Sequence, residues 1–131
     1  MLRIVGVQRG GTPDSEFVLL QNQGIRRIGL KGYAVTDDAY FEGDPYLLAS
    51  RLQVFSEEVF LITSNYVALF TGHGQNGWRK NSDGSSVYLV YWGRDCCVWS
   101  HSPDSDVHLL NISATHHIPK ETIFRTMTTQ V

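Results

Sequence analysis

The sequence predicts one all-β domain, either a sandwich or a barrel. Short runs rich in β-branched and aromatic residues recur along the chain, and turn residues separate them about every eight to twelve positions. No segment of about ten or more residues keeps a 3.6-residue helical period with capping residues at both ends. The chain has 131 residues, a length that suits one domain rather than two.

The first strands are marked by apolar runs that end in turn residues. Leu2, Ile4 and Val7 predict an opening strand that ends at the turn cluster 9–14. The run 16–22 has a continuous apolar centre, and its length and flanking turn residues favour a strand over a helix.

The next strand is predicted around Tyr33 and Val35, which would share one face because side chains alternate along a strand. The connection 39–50 is long and has no clear period. The later strands are predicted from β-branched, aromatic and apolar runs at 59–63, 66–71, 87–92, 96–99 and 107–110. The segment 72–83, which contains Trp78, is predicted as a loop.

Composition and charge are those of an ordinary globular protein with no basic excess. Apolar residues make up 42% of the chain, and 11 basic against 13 acidic residues give a formal net charge of −2. Nucleic-acid binders usually carry a basic excess that neutralises phosphates, so nucleic-acid contact is not favoured. The residues that could make such a contact are the pair Arg26 and Arg27 with the nearby Lys31.

The N-terminal segment and the cysteines indicate either a cytoplasmic protein or a chain cut from a longer precursor. The first apolar run is too short for a secretory signal and is flanked by Arg3 and Arg9. No run of about 18 apolar residues predicts a transmembrane helix, so we expect no membrane insertion. Cys96 and Cys97 are adjacent, and on a strand their thiols would point to opposite faces. We therefore expect two free thiols and a reducing compartment.

Histidine and aspartate residues cluster after the last tryptophan. His101, Asp104 and His108 are the candidates for a metal-dependent hydrolase. A metal site needs three or four convergent ligands, and the chain has neither an H-E-x-x-H nor a C-x-x-C motif to force that convergence. Surface histidines or a cross-strand Asp–His pair explain the cluster better. We therefore expect no enzyme activity, no catalytic residue and no cofactor.

The three tryptophans are predicted to have different roles. Trp92 and Trp99 would close the space between two sheets, whereas Trp78 follows a Gly- and Asn-rich segment and would be exposed. An exposed tryptophan beside basic residues is typical of a contact with a partner. Loops at one end of the domain would form the interaction surface. Its predicted residues are His73, Trp78, Arg79, Lys80, His101 and Asp104.

Four motifs in chain order resemble the lamin-tail domain family. The segment 16–24 is similar to that family's opening strand and Asn-x-Gly turn, and 30–37 is similar to its Leu-x-Gly-aromatic-x-apolar-x-Asp segment. The segment 71–74 resembles the Thr-Gly-x-Gly loop of prokaryotic members. The Tyr-Trp-Gly at 91–93, followed by the Val-Trp at 98–99, resembles another motif pair of those members.

The resemblance implies an immunoglobulin-like β-sandwich of about seven to nine strands. It places the domain at 1–118, with 119–131 as a C-terminal tail or edge strand. Lamin-tail domains are regarded as interaction modules that contact proteins or DNA, and prokaryotic members accompany nucleases, other hydrolases or surface proteins. We therefore expect a non-enzymatic module for protein–protein interaction or assembly. Self-association through an edge strand would give a homodimer. The alternatives are the hydrolase described above and a nucleic-acid-associated accessory domain that uses Arg26, Arg27, Lys31, Arg79 and Lys80.

Overall fold

Residues 1–38, 50–101 and 105–112 are described by the computed structural model, and they form an all-β sandwich. The predicted fold class is confirmed, with ten strands in the described residues rather than about seven to nine. In chain order the strands are β1 (Leu2–Gln8), β2 (Phe17–Asn22), β3 (Ile28–Gly29), β4 (Tyr33–Asp37), β5 (Gln53–Val54), β6 (Phe60–Leu61), β7 (Tyr66–Phe70), β8 (Gly77–Lys80), β9 (Ser86–Tyr91) and β10 (Val107–Asn111).

Five strands form the larger sheet, in the order β1-β2-β7-β9-β8. Neighbouring strands are antiparallel except β7 and β9, which run parallel. The chain therefore reaches β8 at the edge of the sheet before it turns back into β9. β1 forms the opposite edge, and a bulge between Ile4 and Gly6 interrupts its pairing with β2.

A three-stranded sheet, ordered β10-β4-β5, and the two-stranded sheet of β3 and β6 face the larger sheet. Alternate residues of the larger sheet point into the core between them, and Val18 and Leu20 of β2 have no exposed surface. Trp99 is 1% exposed, and the ring of Trp92 packs 5.7 Å from it, centroid to centroid. The predicted core position of Trp99 is confirmed, whereas Trp92 is half-buried and packs against the core.

The segment 96–99, predicted as a strand, instead forms bends that lead into a 3-10 turn at Trp99–His101. Val98 and Trp99 donate their backbone N–H groups to the side chain of Glu16, so these groups do not bond to a neighbouring strand. Strand alternation therefore does not set the directions of the two adjacent cysteines. The first is exposed, the second is half-buried, and both are free thiols.

The segment 72–83, predicted as a loop, contains strand β8. A hairpin turn joins β8 to β9, and Gly84 adopts the left-handed conformation in it, with φ at 89°. The turn is closed by a 2.8 Å hydrogen bond from the N–H of Asn81 to the carbonyl of Ser85. Pairing with β9, rather than an apolar pattern of its own, makes this segment a strand.

Of the run 59–63, predicted as one strand, only Phe60–Leu61 forms a strand, and the carbonyl of Val59 accepts the amide of Leu30 at 2.8 Å. The side chain of Asn65 accepts the amide that follows this pair, at 3.0 Å, and the chain turns there. The connection 39–49 and the tail 119–131 lie outside the described residues. Within the described part of the chain, no helix is long and apolar enough to cross a membrane.

The carboxylate of Glu16, at the start of β2, is fully buried. Its Oε1 accepts hydrogen bonds from the hydroxyl of Thr71 at 2.6 Å and from the amides of Val98 and Trp99 at 2.7 and 3.1 Å. Its Oε2 accepts the amide and the hydroxyl of Ser100 at 2.8 and 2.5 Å. These donors replace the water that the carboxylate loses on burial.

Two opposing effects set the pKa of Glu16. Burial alone would raise this pKa, because it disfavours the charged form. The hydrogen bonds from Ser100, Thr71 and the two backbone amides outweigh burial and hold the pKa of Glu16 below its ordinary value. Since the folded pKa is lower than the unfolded one, Glu16 stabilises the fold above the unfolded pKa. That contribution is lost as the pH falls through the folded pKa.

We predict that Glu16→Gln lowers the free energy of unfolding at about pH 7 by about 2–4 kcal/mol, because the amide cannot accept from all the buried donors. Glu58→Gln is the matched control, since that carboxylate is 77% exposed, and it should cost less than about 1 kcal/mol. Urea unfolding measures both variants. On acidification below the ordinary glutamate pKa, the wild type should lose more stability than Glu16→Gln. Equal losses for the two substitutions at neutral pH would contradict the structural role of Glu16.

Candidate interaction surface

Strand β8 is an open edge of the larger sheet. Among the described residues, β9 is its one strand neighbour. Trp78, Arg79 and Lys80 are all exposed, Trp78 by 42%. The backbone of β8 is therefore accessible to another molecule, as edge strands are when nothing covers them.

The outward-facing backbone groups of β8 belong to two residues. Asn81 donates its N–H to Ser85, so these two residues form a hydrogen-bonded pair. Because such pairs alternate along an antiparallel ladder, Arg79 bonds to β9, whereas the backbone groups of Trp78 and Lys80 point outward. The carbonyl of Trp78 does point away from β9, because it accepts a 2.9 Å hydrogen bond from Nη1 of Arg79.

The side chains of β8 alternate between the two faces of the sheet. Trp78 lies opposite Tyr88 of β9, and the two rings meet edge-on with their centroids 5.3 Å apart. Lys80 shares the face of Trp78, and Arg79 lies on the other face. An incoming strand therefore meets a supported aromatic ring and one cation on each face.

The face that carries Arg79 continues across the sheet as an apolar surface. The ring of Phe70 lies 5.1 Å from the rings of both Phe17 and Tyr91, centroid to centroid. These rings shield one another, and each is half-buried. The continuous apolar centre of the run 16–22 indicates this apolar face, because such runs are typical of strands that are apolar on both sides. A segment bound to β8 would extend this surface.

His73 lies in a different cluster from β8. Its Nε2 is 2.8 Å from Oδ1 of Asp95, and both side chains are exposed. Asp95 lies in the loop that follows β9. In that loop, the guanidinium of Arg94 lies 4.8 Å from the ring centroid of Trp92 and donates to the carbonyl of Ser50. Of the predicted interaction surface, Trp78, Arg79 and Lys80 therefore lie on the β8 edge, and His73 lies in this loop cluster. Asp104 and the side chain of His101 lie outside what the structure describes.

The three residues predicted for a hydrolase do not form a described metal site. The backbone of His101 ends a 3-10 turn, and Asp104 lies outside the described residues. Nε2 of His108 is 2.7 Å from Oδ1 of Asp38, just beyond the end of the neighbouring strand β4. In the part of the chain that the structure describes, no three His, Cys, Asp or Glu side chains are grouped so that they could hold a metal ion.

The thiol of Cys97 is not activated as a nucleophile. Burial raises the pKa of this thiol, and the negative charge of Glu16 raises it further. Its Sγ lies 3.6 Å from the carbonyl of Gly10, to which it donates. The thiol is therefore protonated at neutral pH, whereas a nucleophilic cysteine acts as the thiolate.

The residues predicted for nucleic-acid contact lie in the second layer of the sandwich. The guanidinium of Arg27 is 4.3 Å from the ring centroid of Phe60, and Nζ of Lys31 is 3.2 Å from Glu58. The side chain of Arg26 is exposed. Since Lys31 is paired with a carboxylate, the patch of Arg26, Arg27 and Lys31 offers less positive charge to phosphate than the sequence suggested.

A buried polar residue that was not predicted from the sequence positions the segment of Arg26 and Arg27. Asn22 is fully buried, and its Nδ2 donates to the carbonyls of Arg26 and Leu61, each at 2.9 Å. Its Oδ1 accepts the amide of Gly24 at 3.0 Å. The Asn-x-Gly motif contained this signal, because asparagine side chains commonly bind the backbone two residues on.

Comparison of the chain with protein-family models finds no match, and comparison with curated proteins and with solved structures finds none either. The resemblance to lamin-tail domains is therefore an inference from motifs in this sequence. The function has to be inferred from the geometry of β8 and of the clusters around it.

We predict that His108→Ala raises the pKa of Asp38 toward its ordinary value of 3.8. The hydrogen bond from His108 is the largest cause of the lowered pKa of Asp38, ahead of the amide of Asp106. A carbon-13 NMR titration of the carboxyl groups measures the change. Asp83 serves as the control in the same spectra, because its pKa is lowered by Ser85 instead. An unchanged pKa of Asp38 would contradict the pairing with His108.

Proposed function

We propose that the chain is a non-enzymatic β-sandwich module that binds proteins through the edge of β8. The observation that carries this proposal is the outward-facing backbone of Trp78 and Lys80 beside an exposed, supported aromatic ring. An extended segment of the partner would add to the sheet next to β8, by β-augmentation. The resemblance to lamin-tail domains, which implies an interaction module, supports the same function.

The β8 edge supplies two kinds of binding energy. Each backbone hydrogen bond to an added strand contributes about 0.5–1.5 kcal/mol net. Trp78 adds buried apolar area, and tryptophan is enriched among the residues that dominate interface energies. Because the contact with Tyr88 already holds the ring in place, binding costs it little side-chain entropy. The strand has only 4 residues, which favours a weak and reversible complex.

The two alternative functions depend in part on side chains that have partners within the chain. A nucleic-acid-associated domain would use Arg26, Arg27, Lys31, Arg79 and Lys80, of which Lys31 is paired with a carboxylate. A hydrolase would use His108, which is bound to Asp38. Protein binding at β8 is favoured because the edge backbone has no described strand partner.

We predict that peptides selected from a random phage-displayed library on the wild-type protein bind at β8. Trp78→Ala should weaken their affinity at least about tenfold, because the aromatic contact is lost. Lys80→Pro should weaken it similarly, because proline removes an outward N–H without removing a hydrogen bond to β9. Isothermal titration calorimetry measures the affinities.

Phe60→Ala is the matched control for this selection. Phe60 is an aromatic residue that is 55% exposed but lies in the two-stranded sheet, so its removal should change the affinity less than about twofold. Circular dichroism checks that each variant is folded. The proposal is wrong if the selected peptides bind all variants equally, or if no peptide is enriched over the blank support.

A further inference from the structure

The charges on β8 indicate the chemistry of the segment that it binds. Arg79 and Lys80 place one cation on each face of the edge, beside Trp78. We propose that β8 takes an extended segment of a different protein, in which two consecutive acidic residues adjoin an aromatic residue. This inference rests on the proposed function and adds the class of partner to it.

A second copy of β8 does not complement this edge. Antiparallel pairing of two β8 strands through the outward groups of both Trp78 and Lys80 is centred on Arg79. The Arg79 side chains of the two copies would then lie directly opposite each other, with their Cβ atoms roughly 4.5–5.5 Å apart. Like charges at that position destabilise a ladder, and lysine at an edge is a common protection against self-pairing.

The other strands in the described part of the chain do not supply the missing negative charge. Among the described strands, only β4 contains an acidic residue, Asp37. That strand lies between β10 and β5, and Asp37 is 2% exposed and paired with Arg51. No described strand can therefore place a carboxylate opposite Arg79 or Lys80 of another copy. A foreign partner is therefore favoured over a homodimer.

The guanidinium of Arg79 now occupies the position that a partner amide would take. Its Nη1 donates to the outward carbonyl of Trp78 at 2.9 Å. An added strand donates its own N–H to that carbonyl and releases the guanidinium. A carboxylate on the same face of the added strand then accepts a charge-assisted hydrogen bond from the Arg79 guanidinium. This bond is stronger than the one that the guanidinium made to the carbonyl of Trp78. An acidic partner thus leaves neither the carbonyl nor the cation unpaired.

Strand geometry sets the order of residues in the partner. Side chains alternate, so the acidic residues opposite Arg79 and Lys80 must be adjacent in the partner sequence, one on each face. Its aromatic residue lies opposite Trp78, on the face of Tyr88. In an antiparallel segment the acidic pair therefore precedes the aromatic residue, and in a parallel segment it follows.

Three end-capped synthetic peptides test this inference on the full chain. The acidic peptide is Thr-Thr-Glu-Glu-Phe-Thr-Thr, and the other two carry Gln-Gln or Lys-Lys in place of Glu-Glu. At low salt the acidic peptide should bind about five- to tenfold more tightly than the Gln-Gln peptide, from two exposed cross-strand ion pairs. The difference should shrink as salt screens the charges. Proton–nitrogen NMR should show the chemical-shift changes at the backbone amides of Trp78 and Lys80 and at the indole N–H of Trp78.

Charge reversal on β8 provides the second arm of the test. The double variant Arg79→Glu with Lys80→Glu keeps the backbone bonds to β9 and should prefer the Lys-Lys peptide by a similar factor. Lys31→Glu is the matched control, because it reverses a charge in the second layer and should leave the preference for the acidic peptide unchanged. Lys80→Pro should weaken the binding of every peptide that binds at the edge.

The outcomes separate this inference from the proposed function. If the library peptides bind β8 without an acidic pair, or if the three designed peptides bind equally there, the acidic partner is wrong and binding at β8 stands. If the acidic peptide shifts residues away from β8 and no library peptide binds this edge, both are wrong. A dimer in sedimentation experiments that Lys80→Pro dissociates would overturn the foreign partner in favour of a second copy.

Discussion

The buried carboxylate of Glu16 is the interaction on which one end of the sandwich depends. It joins the start of β2 to Thr71, after β7, and to the segment 98–100, after β9. Without this acceptor, the hydroxyl of Thr71 and the amides of Val98 and Trp99 would be buried unpaired, at about 1–3 kcal/mol each. That sum is comparable to the whole stability of a typical domain, about 5–15 kcal/mol. A buried charged group therefore fixes the position of the apolar segment around Trp99.

Hydrogen bonds at the same end of the sandwich place β8 at the edge of the sheet. Backbone hydrogen bonds between 71–72 and 93–94 extend the pairing of β7 and β9 beyond both strands. The chain that leaves β7 therefore returns on the far side of β9. There Asn76 accepts the amide of Tyr91 at 2.9 Å, and β8 begins at the next residue. β8 therefore pairs with the side of β9 that faces away from β7, and no described strand lies beyond it.

Apolar runs bounded by turn residues were sufficient to predict the fold class and the centres of strands such as β2 and β7. They did not predict β8, because Gly-Trp-Arg-Lys has no apolar alternation and becomes a strand only by pairing with β9. They wrongly predicted a strand at 96–99, because a carboxylate more than eighty positions away binds its amides. Of the candidate site, the sequence predicted the exposed Trp78 and its two cations. The open backbone, which makes them a binding edge, depends on long-range pairing that no local pattern contains.

The two edges of the larger sheet avoid self-pairing in different ways. The bulge between Ile4 and Gly6 breaks the regular spacing of β1, so that edge is protected by its geometry whatever the charge of an incoming strand. The ladder of β8 is regular from Gly77 to Lys80, so its backbone remains suited to pairing and only Arg79 and Lys80 oppose it. Protection by charge acts between copies of the same strand and turns into attraction when the incoming strand is acidic. The bulge therefore makes β1 a poorer template for any added strand, whereas under our proposal the charges of β8 disfavour its own copies and favour an acidic segment.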